Sequence, residues 1–195
     1  KIKFSDNSIN KLKILHESLL SYNNKYNLIA KSTENQIWER HILDSAQIIQ
    51  LIDKSVSQIS DFGSGAGFPG IILSIFDENK KFHVKLYEKS LIKRKFLVSI
   101  REKLNIKFKI LENVYEETIY TDLIVCRAFK KLKEIIRISR EIVNKPHKII
   151  VLKGKNAQSE INKVSLNNNY SYKLRTSITD RDSKIIVIEV KENEK

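Results

Sequence analysis

Residues 58–70 read Gln58-Ile-Ser-Asp-Phe-Gly-Ser-Gly-Ala-Gly-Phe-Pro-Gly70, a short apolar run that leads into a glycine-rich turn. Four of the five glycines in the chain lie between Gly63 and Gly70. Glycine has no Cβ, so it tolerates positive φ and lets a ligand approach the backbone closely. Between a strand and a helix, such a turn places free N–H groups beside an anionic or polar ligand. The stretch therefore predicts a nucleotide-binding turn at the end of a strand.

Two binding patterns overlap in this turn. Gly65-Ala-Gly-Phe-Pro-Gly70 satisfies G-x-G-x-x-G, which is typical of dinucleotide binding. Asp61, followed by the alternating glycines from Gly63 to Gly67, also fits an acidic pattern that resembles loops binding S-adenosylmethionine (AdoMet). The Asp61 carboxylate would repel a pyrophosphate, but it can accept a hydrogen bond from the AdoMet amino group, directly or through water. We therefore predict AdoMet as the cofactor, with an NAD(P)-dependent oxidoreductase as the first alternative.

Strand and helix patterns alternate on the carboxyl side of the turn. Strands are predicted over 58–62, 82–87, 106–111, 122–126 and 148–152, with helices over 69–76, 90–104, 132–143 and 157–164. Residues 170–176 and 184–190 predict two final strands without a helix between them. This order predicts an α/β, Rossmann-like fold: a mostly parallel twisted sheet with an antiparallel C-terminal edge.

The first fifty or so residues have helical spacing instead. Apolar residues recur along one face from Ile9 to Tyr26, and Thr33 with Gln36 resembles a capping box that opens a second helix. Neither helix carries an obvious catalytic group. We predict an N-terminal helical cap over residues 1–55 that packs on a methyltransferase domain over residues 56–195, the two forming one structural unit.

Composition narrows the class of protein. The chain has 195 residues, with 36 Lys and Arg against 23 Asp and Glu, a formal net charge of +13. This charge favours nucleic acid as a partner, although a Lys-rich composition bias is an equal explanation. One cysteine and four scattered histidines predict neither a disulfide nor a metal site. No apolar stretch approaches the roughly 18 residues of a membrane span, and no signal peptide is recognisable, so we expect a cytoplasmic protein without a membrane partner.

Polar residues also follow the ends of the later predicted strands. Glu88 ends the second strand, where it is placed to accept hydrogen bonds from both ribose hydroxyls. Tyr115 follows the third strand and would lie alongside the adenine. Arg127 ends the fourth strand, where an unpaired buried charge is costly, so it serves the ligand or pairs with Glu116 or Glu117 to hold the sheet edge. The neighbouring Cys126 fits a small core residue better than a nucleophile.

Together the turn and the strand ends resemble the glucose-inhibited division protein B family of bacterial 16S rRNA guanine-N7 methyltransferases. The most specific segments are Arg40-His-Ile-Leu-Asp-Ser45 and Gly67-Phe-Pro-Gly70, and the match continues through most of the chain. The resemblance implies the class I AdoMet-dependent methyltransferase fold. By resemblance, cofactor contacts fall on Gly63, Phe68, Tyr115, Glu116 and Arg127. The residue patterns and the resemblance together predict a cofactor site of Asp61, Gly63, Gly65, Phe68, Glu88, Tyr115, Glu116 and Arg127.

The resemblance also implies a reaction, the transfer of the AdoMet methyl group to guanine N7 in 16S rRNA. N7 has a free lone pair and no proton, so the in-line displacement needs positioning but no general base. We therefore expect no catalytic acid or base. Arg127 would bond either guanine O6 or the cofactor carboxylate.

The implied partner is 16S rRNA or the small ribosomal subunit, bound by a monomer. In an A-form helix N7 faces a deep groove that side chains do not read, so we expect the target guanine to be splayed from a loop. A non-catalytic RNA-binding protein with the same fold is the second alternative. The candidate RNA-contacting residues are Arg40, His41, Lys93, Arg94, Lys95, Lys130 and Lys153.

Overall fold

A mostly parallel sheet runs through the protein. The structure, a computed structural model, describes residues 2–76, 81–115, 119–164 and 169–191. Within these residues, seven strands form one sheet in the order β3-β2-β1-β4-β5-β7-β6. β1 to β5 pair in parallel, and β7 runs antiparallel to both β5 and β6. The strands are β1 Gln58–Phe62, β2 His83–Tyr87, β3 Lys109–Leu111, β4 Leu123–Arg127, β5 His147–Lys153, β6 Tyr170–Thr176 and β7 Lys184–Val190. The predicted α/β fold and its antiparallel C-terminal edge are confirmed.

Helices connect the parallel strands and pack against the sheet. They are α1 Asp6–Tyr26, α2 Asp44–Ala46, α3 Gly70–Phe76, α4 Leu91–Leu104, α5 Leu132–Ile142 and α6 Ala157–Asn162. Ser90 caps α4 through a side-chain oxygen that accepts from the N–H of Lys93. None of the helices in the described ranges has the length and hydrophobicity of a membrane-spanning segment.

The strand order reverses beside β1. From β1 the chain adds β2 and β3 on one side, and then returns to place β4 and β5 on the other side. In open α/β sheets, ligands bind outside the carboxyl ends of the strands at such a switch point. The glycine turn therefore lies where this fold places a ligand.

One predicted strand is shorter in the structure. The sequence predicts a strand over 106–111, but β3 covers Lys109–Leu111, because as an edge strand it pairs with β2 over these three residues. Ile106 and Phe108 are buried as part of the loop before the strand. Because they are buried, these residues extend the alternating apolar pattern of a strand, although they pair with no other strand.

The predicted capping box at Thr33 is wrong. Lys31–Gln36 forms a 3₁₀-helix without a side-chain cap, and the Thr33 hydroxyl donates backwards to the carbonyl of Ala30 at 2.8 Å. The segment continues as a π-helical turn over Trp38–Leu43, then α2, then a 3₁₀-helix over Gln47–Leu51. Such π turns are rare and frequently mark functional sites.

The N-terminal segments share a core with the sheet. Leu12, Leu15 and Leu19 of α1 are fully buried and belong to the same apolar cluster as Ile59 of β1 and Leu97 of α4. Burial of this surface is the main favourable term for packing the N-terminal helices on the sheet.

Candidate active site

A cavity of about 400 Å³ lies at the carboxyl edge of the sheet. Its walls come from the β1–α3 turn, the ends of β2 and β3, and the residues after β4; they include Gly63, Gly65, Glu88, Lys93, Tyr115 and Phe129. The volume is within the range of about 300–1,000 Å³ that is common for small-ligand sites. A wider opening of about 590 Å³, around His83 and Lys109, lies at the amino ends of the strands, away from the glycine turn.

The turn takes a shape that its glycines permit. The N–H groups of Gly63 and Ser64 donate to the carbonyl of Tyr87 at 2.9 and 3.0 Å, which ties the turn to the end of β2. Gly63 has a φ of +70°, and a Cβ there would lie 2.3 Å from the ring of Phe129. Phe129 therefore packs against the turn at a position where only glycine fits.

Glu88 is held by two backbone N–H groups. One carboxylate oxygen accepts from Gly65 at 2.8 Å, and the other accepts from Ser90 at 2.7 Å. Each carboxylate oxygen has two lone pairs, so one acceptor position on each oxygen is left for a ligand. The carboxylate lines the cavity, and its geometry fits a pair of ribose hydroxyls.

Arg94 supports this wall from behind. Its guanidinium donates to the carbonyls of Glu88 at 2.9 Å and Lys89 at 2.7 Å, and it forms an ion pair with Glu112 at 3.0 Å. These donors hold the end of β2 against the end of β3, and the predicted RNA contact of Arg94 stays a prediction.

Asp61 lies beneath the turn and does not reach the cavity wall. It is fully buried, and one carboxylate oxygen accepts from the N–H of Gly70 at 2.9 Å, at the start of α3. The other oxygen has no partner among the described residues. Burial raises the pKa of Asp61 to about 7. An orphaned buried acceptor is rare in folded proteins, and a water or a polar ligand group would satisfy it. Its predicted bond to the AdoMet amino group stays a prediction.

The raised pKa of Asp61 predicts a pH effect on the ligand-free protein. Between 3.8 and about 7 the folded carboxyl keeps a proton that the unfolded chain has released, so stability falls as pH rises through this window. Asp61→Asn removes this titration and keeps an acceptor for Gly70. We expect urea unfolding at pH 5 and pH 8 to show a larger loss for the wild type than for the variant. An equal loss in both proteins would contradict the buried, protonated carboxyl.

Arg127 lies at a second, smaller cavity of about 200 Å³, and this cavity shares Ala128 with the first one. Its guanidinium donates to the carbonyl of Arg40 at 2.7 Å, and it lies 5.2 Å from the ring centre of Phe68 and 3.8 Å from Asp44. Its nearest acid in the described chain is thus Asp44. Glu116 and Glu117, the acids predicted to pair with it, lie outside the described residues, as does any cofactor contact of Glu116.

His41 holds Arg127 from the N-terminal segment. The Thr33 hydroxyl already donates to Ala30, so it accepts from Nε2 of His41 at 2.9 Å. This leaves Nδ1 of His41 to accept from Arg127 at 2.6 Å. Burial, with Arg127 and Arg40 nearby, lowers the pKa of His41 to about 3, so the ring is neutral. Both nitrogens are engaged and the side chain is buried, so His41 supports Arg127 in this structure, and its predicted RNA contact stays a prediction.

Phe68 packs against both His41 and Arg127. Its ring is 5.3 Å from that of His41, and its side chain is 3% exposed. The structure therefore places Phe68 between the turn and the N-terminal segment, as support for His41 and Arg127. Its predicted cofactor contact remains a prediction.

The other predicted RNA residues divide into two groups. Lys153 is 12% exposed and donates to the carbonyl of Lys130 at 2.6 Å and to Glu160 at 3.0 Å. These bonds tie the end of β5 to α6 and to the residues after β4, and the predicted RNA contact of Lys153 stays a prediction. Lys130 pairs with Glu134 and lies 5.8 Å from the ring centre of Phe129. Among the predicted RNA residues Arg40 and Lys95 are exposed, and Lys93 and Lys130 are half-buried.

Cys126 is buried in β4, and burial raises the pKa of its thiol. This confirms the interpretation as a core residue, because a nucleophilic cysteine needs access and a low pKa. In the ranges that the structure describes, no cluster of His, Cys, Asp or Glu is placed to hold a metal ion.

Sequence reasoning missed the role of Asp44. Its Oδ1 accepts from Gln47 at 2.7 Å, Thr179 at 3.0 Å and Ser177 at 3.2 Å. The bonds from Ser177 and Thr179 join the N-terminal segment to the turn between β6 and β7. No local signal reveals partners more than 130 positions apart, and the family resemblance of residues 40–45 was the one signal that could have found it.

The strand order 3-2-1-4-5-7-6, with β7 alone antiparallel in the described sheet, is the fold of class I AdoMet-dependent methyltransferases. The solved structure of cofactor-bound Rv0187 from MTB shares this fold, with a TM-score of 0.68 and 10% identity, over 94% of this chain and 91% of that chain.

The chain belongs to the family of rRNA small subunit methyltransferase G, GidB, whose family model matches residues 8–186. It is 38% identical to the ribosomal RNA small subunit methyltransferase G of Pelagibacter ubique, over 85% of this chain and 81% of the relative. With the protein of the same name from Rickettsia akari the identity is 36%, over 92% and 93%. The predicted family is confirmed, the cofactor is AdoMet, and the enzyme is a methyltransferase rather than a dinucleotide oxidoreductase.

Proposed function

We propose that the protein transfers the methyl group of AdoMet to N7 of a guanine in 16S rRNA. The observation that carries this proposal is the pair of cavities that meet at Ala128. The larger one fits the cofactor, and the smaller one has room for a flat base beside it. The names of the relatives, ribosomal RNA small subunit methyltransferase G, support small-subunit rRNA as the substrate.

The residues around the two cavities position the reactants. When bound, AdoMet supplies a methyl group that its sulfonium makes electrophilic. Glu88 would accept from the ribose hydroxyls, and Tyr115 would flank the adenine. Arg127, held by His41 and Arg40, would face the acceptor. Guanine N7 carries no proton, so no base is needed to remove one. The enzyme would accelerate methyl transfer by aligning N7 with the methyl group and excluding water.

Ala128 joins the two cavities in an unusual conformation. Its φ of +52° is in the left-handed region, which costs a non-glycine residue free energy. Such strain is frequent where the surrounding structure fixes a functional backbone. Here the conformation places Phe129 on the cofactor cavity and Arg127 on the smaller one.

Lys95, which is exposed, and the half-buried Lys93 give a testable RNA surface near the cofactor cavity. Each lysine–phosphate ion pair that is removed should reduce the slope of log K against log salt by about 0.7–0.9. We expect Lys93→Ala with Lys95→Ala to weaken binding of a 16S rRNA fragment and to flatten this slope. The matched control is Lys107→Ala with Lys109→Ala at the opposite edge of the sheet, which should change neither. If both pairs behave alike, this surface does not bind RNA.

Label transfer tests the proposed function. The protein is incubated with methyl-labelled AdoMet and separately with small subunits, large subunits and free 16S rRNA. We expect label in small-subunit rRNA, and none in rRNA transcribed with 7-deazaguanosine, because that base has no N7 lone pair. Label in ribosomal protein, or equal transfer to the 7-deaza RNA, would refute the proposal. Retention of AdoMet without any transfer would favour the non-catalytic RNA-binding alternative.

We also propose that residues 1–55 and 56–195 act as one structural unit, and that the protein works as a monomer in the cytoplasm, where ribosomal subunits are assembled. The shared apolar core of α1, β1 and α4 supports the first point. The bonds that join Asp44 and Gln47 to the β6–β7 turn support it independently.

A further inference from the structure

A carboxylate and a guanidinium lie side by side on the wall of the smaller cavity. Asp44 comes from the N-terminal segment and Arg127 from the end of β4. Their side chains are 17% and 19% exposed, so both are largely shielded from water. Hydrogen bonds made here to a base would be stronger than the same bonds on an open surface.

The two oxygens of Asp44 differ. Among the described residues Oδ1 accepts from Gln47, Ser177 and Thr179, which fixes the carboxylate in one orientation. For Oδ2 the described chain offers an ion-pair contact with Nη1 of Arg127, at 3.8 Å, which is too long for a hydrogen bond. Oδ2 is therefore an oriented acceptor that is open to a ligand.

Arg127 also keeps donors for a ligand. One N–H of Nη1 goes to the Arg40 carbonyl and one of Nη2 to His41. A guanidinium has five N–H groups in a fixed plane, so three are left. The wall thus presents a donor and an acceptor side by side, both held by other parts of the chain.

We propose that Asp44 and Arg127 select guanine over adenine as the methyl acceptor. This inference rests on the proposed function and names the residues that recognise its base. Guanine carries an acceptor, O6, next to a donor, N1–H. Arg127 would donate to O6, and Oδ2 of Asp44 would accept from N1–H. N7 lies on the other side of O6, which leaves it free to face Ala128 and the methyl group.

Adenine reverses this pattern. Its N6 amino group would meet the guanidinium, and the lone pair of N1 would meet the carboxylate. A buried donor set against a donor and an acceptor set against an acceptor leave all four groups unpaired. Sites built on such hydrogen bonds reject the wrong ligand far more strongly than apolar pockets do.

The test is binding of GMP and AMP, at millimolar concentration, to the protein loaded with S-adenosylhomocysteine. Asp44→Asn keeps the Oδ1 acceptor and replaces Oδ2 with an amide donor. We expect the wild type to prefer GMP, and the variant to lose that preference by about tenfold or more, as loss of a charge-assisted hydrogen bond predicts. Calorimetry should show unchanged affinity of the variant for AdoMet.

Two controls separate recognition from structure. Ser177→Ala removes a donor to Oδ1 but leaves Oδ2 in place, so the preference for GMP should persist. On the wild type, GMP methylated at N1 should bind about tenfold more weakly than GMP, a comparison that needs no variant.

The inference is overturned if the wild type binds AMP as well as GMP, binds neither, or does not distinguish GMP from its N1-methyl form. It is also overturned if Asp44→Asn leaves the preference unchanged. In each case methyl transfer to guanine N7 by the wild type would leave the proposed function standing. Methyl transfer to another atom, with the preference for GMP intact, would reject the proposed function alone.

Discussion

Replacement of Glu88 by glutamine is expected to weaken AdoMet binding by about a hundredfold or more. The carboxylate oxygens accept from two backbone N–H groups, at Gly65 and Ser90. An amide cannot suit both, because its NH₂ group would face an N–H donor on one side. The misplaced amide also weakens the two charge-assisted hydrogen bonds that the carboxylate would accept from the ribose hydroxyls of AdoMet. A loss of about 1.5 kcal/mol in each of these two bonds gives roughly a hundredfold weaker affinity.

Calorimetric titration with AdoMet measures this effect. The matched control is Glu112→Gln, which changes a carboxylate on the same cavity that is 57% exposed and pairs with Arg94. Exposed ion pairs contribute little, so this variant should bind AdoMet within a few-fold of the wild type. If Glu88→Gln bound as tightly as Glu112→Gln, the ribose would not lie at the end of β2.

The second large effect is expected from Gly65→Ala. Gly65 has a φ of +59°, and a Cβ there would meet no atom closer than the Gly63 carbonyl oxygen at 3.9 Å. The left-handed conformation costs alanine about 1–2 kcal/mol, so the protein should stay folded. The new methyl group would instead occupy space on the wall of the cofactor cavity. We expect AdoMet affinity to fall by about a hundredfold while Tm falls by roughly 5 °C.

Gly67→Ala is the matched comparison in the same turn. Its Cβ would lie 2.2 Å from Cδ1 of Ile71 and 3.0 Å from Cδ2 of Leu97, inside the core. Overpacking of this kind typically costs about 1–3 kcal/mol in addition to the strain of positive φ. The melting temperature of this variant should therefore fall well below that of Gly65→Ala. Normal AdoMet binding by Gly65→Ala would place the cofactor away from the turn.

The parts of the fold that follow from local pattern are predicted well. β1, β6 and β7 have the predicted bounds, because their apolar residues are also the ones that pair and pack. The glycine turn and Glu88 are likewise assigned from nearby sequence, and the structure places Gly63, Gly65 and Glu88 on one cavity.

The roles of the basic side chains do not follow from local pattern. Charge alone predicts Arg94 and Lys153 as RNA contacts, but each is committed to protein acceptors. Burial lowers the pKa of His41 and keeps the ring neutral, and Arg127, which is 86 positions away in the chain, adds to this effect. The role and protonation state of a charged or titratable side chain depend on the groups around it, and the tertiary structure determines which groups those are.

The chemical identity of the product tests the proposed function most directly. Small subunits that lack the modification are incubated with the protein and AdoMet, and the rRNA is then digested to nucleosides and analysed by mass spectrometry. We predict a gain of 7-methylguanosine with the wild type, and none with Glu88→Gln at the same AdoMet concentration. A gain of any other methylated nucleoside, without 7-methylguanosine, would contradict guanine N7 as the methyl acceptor.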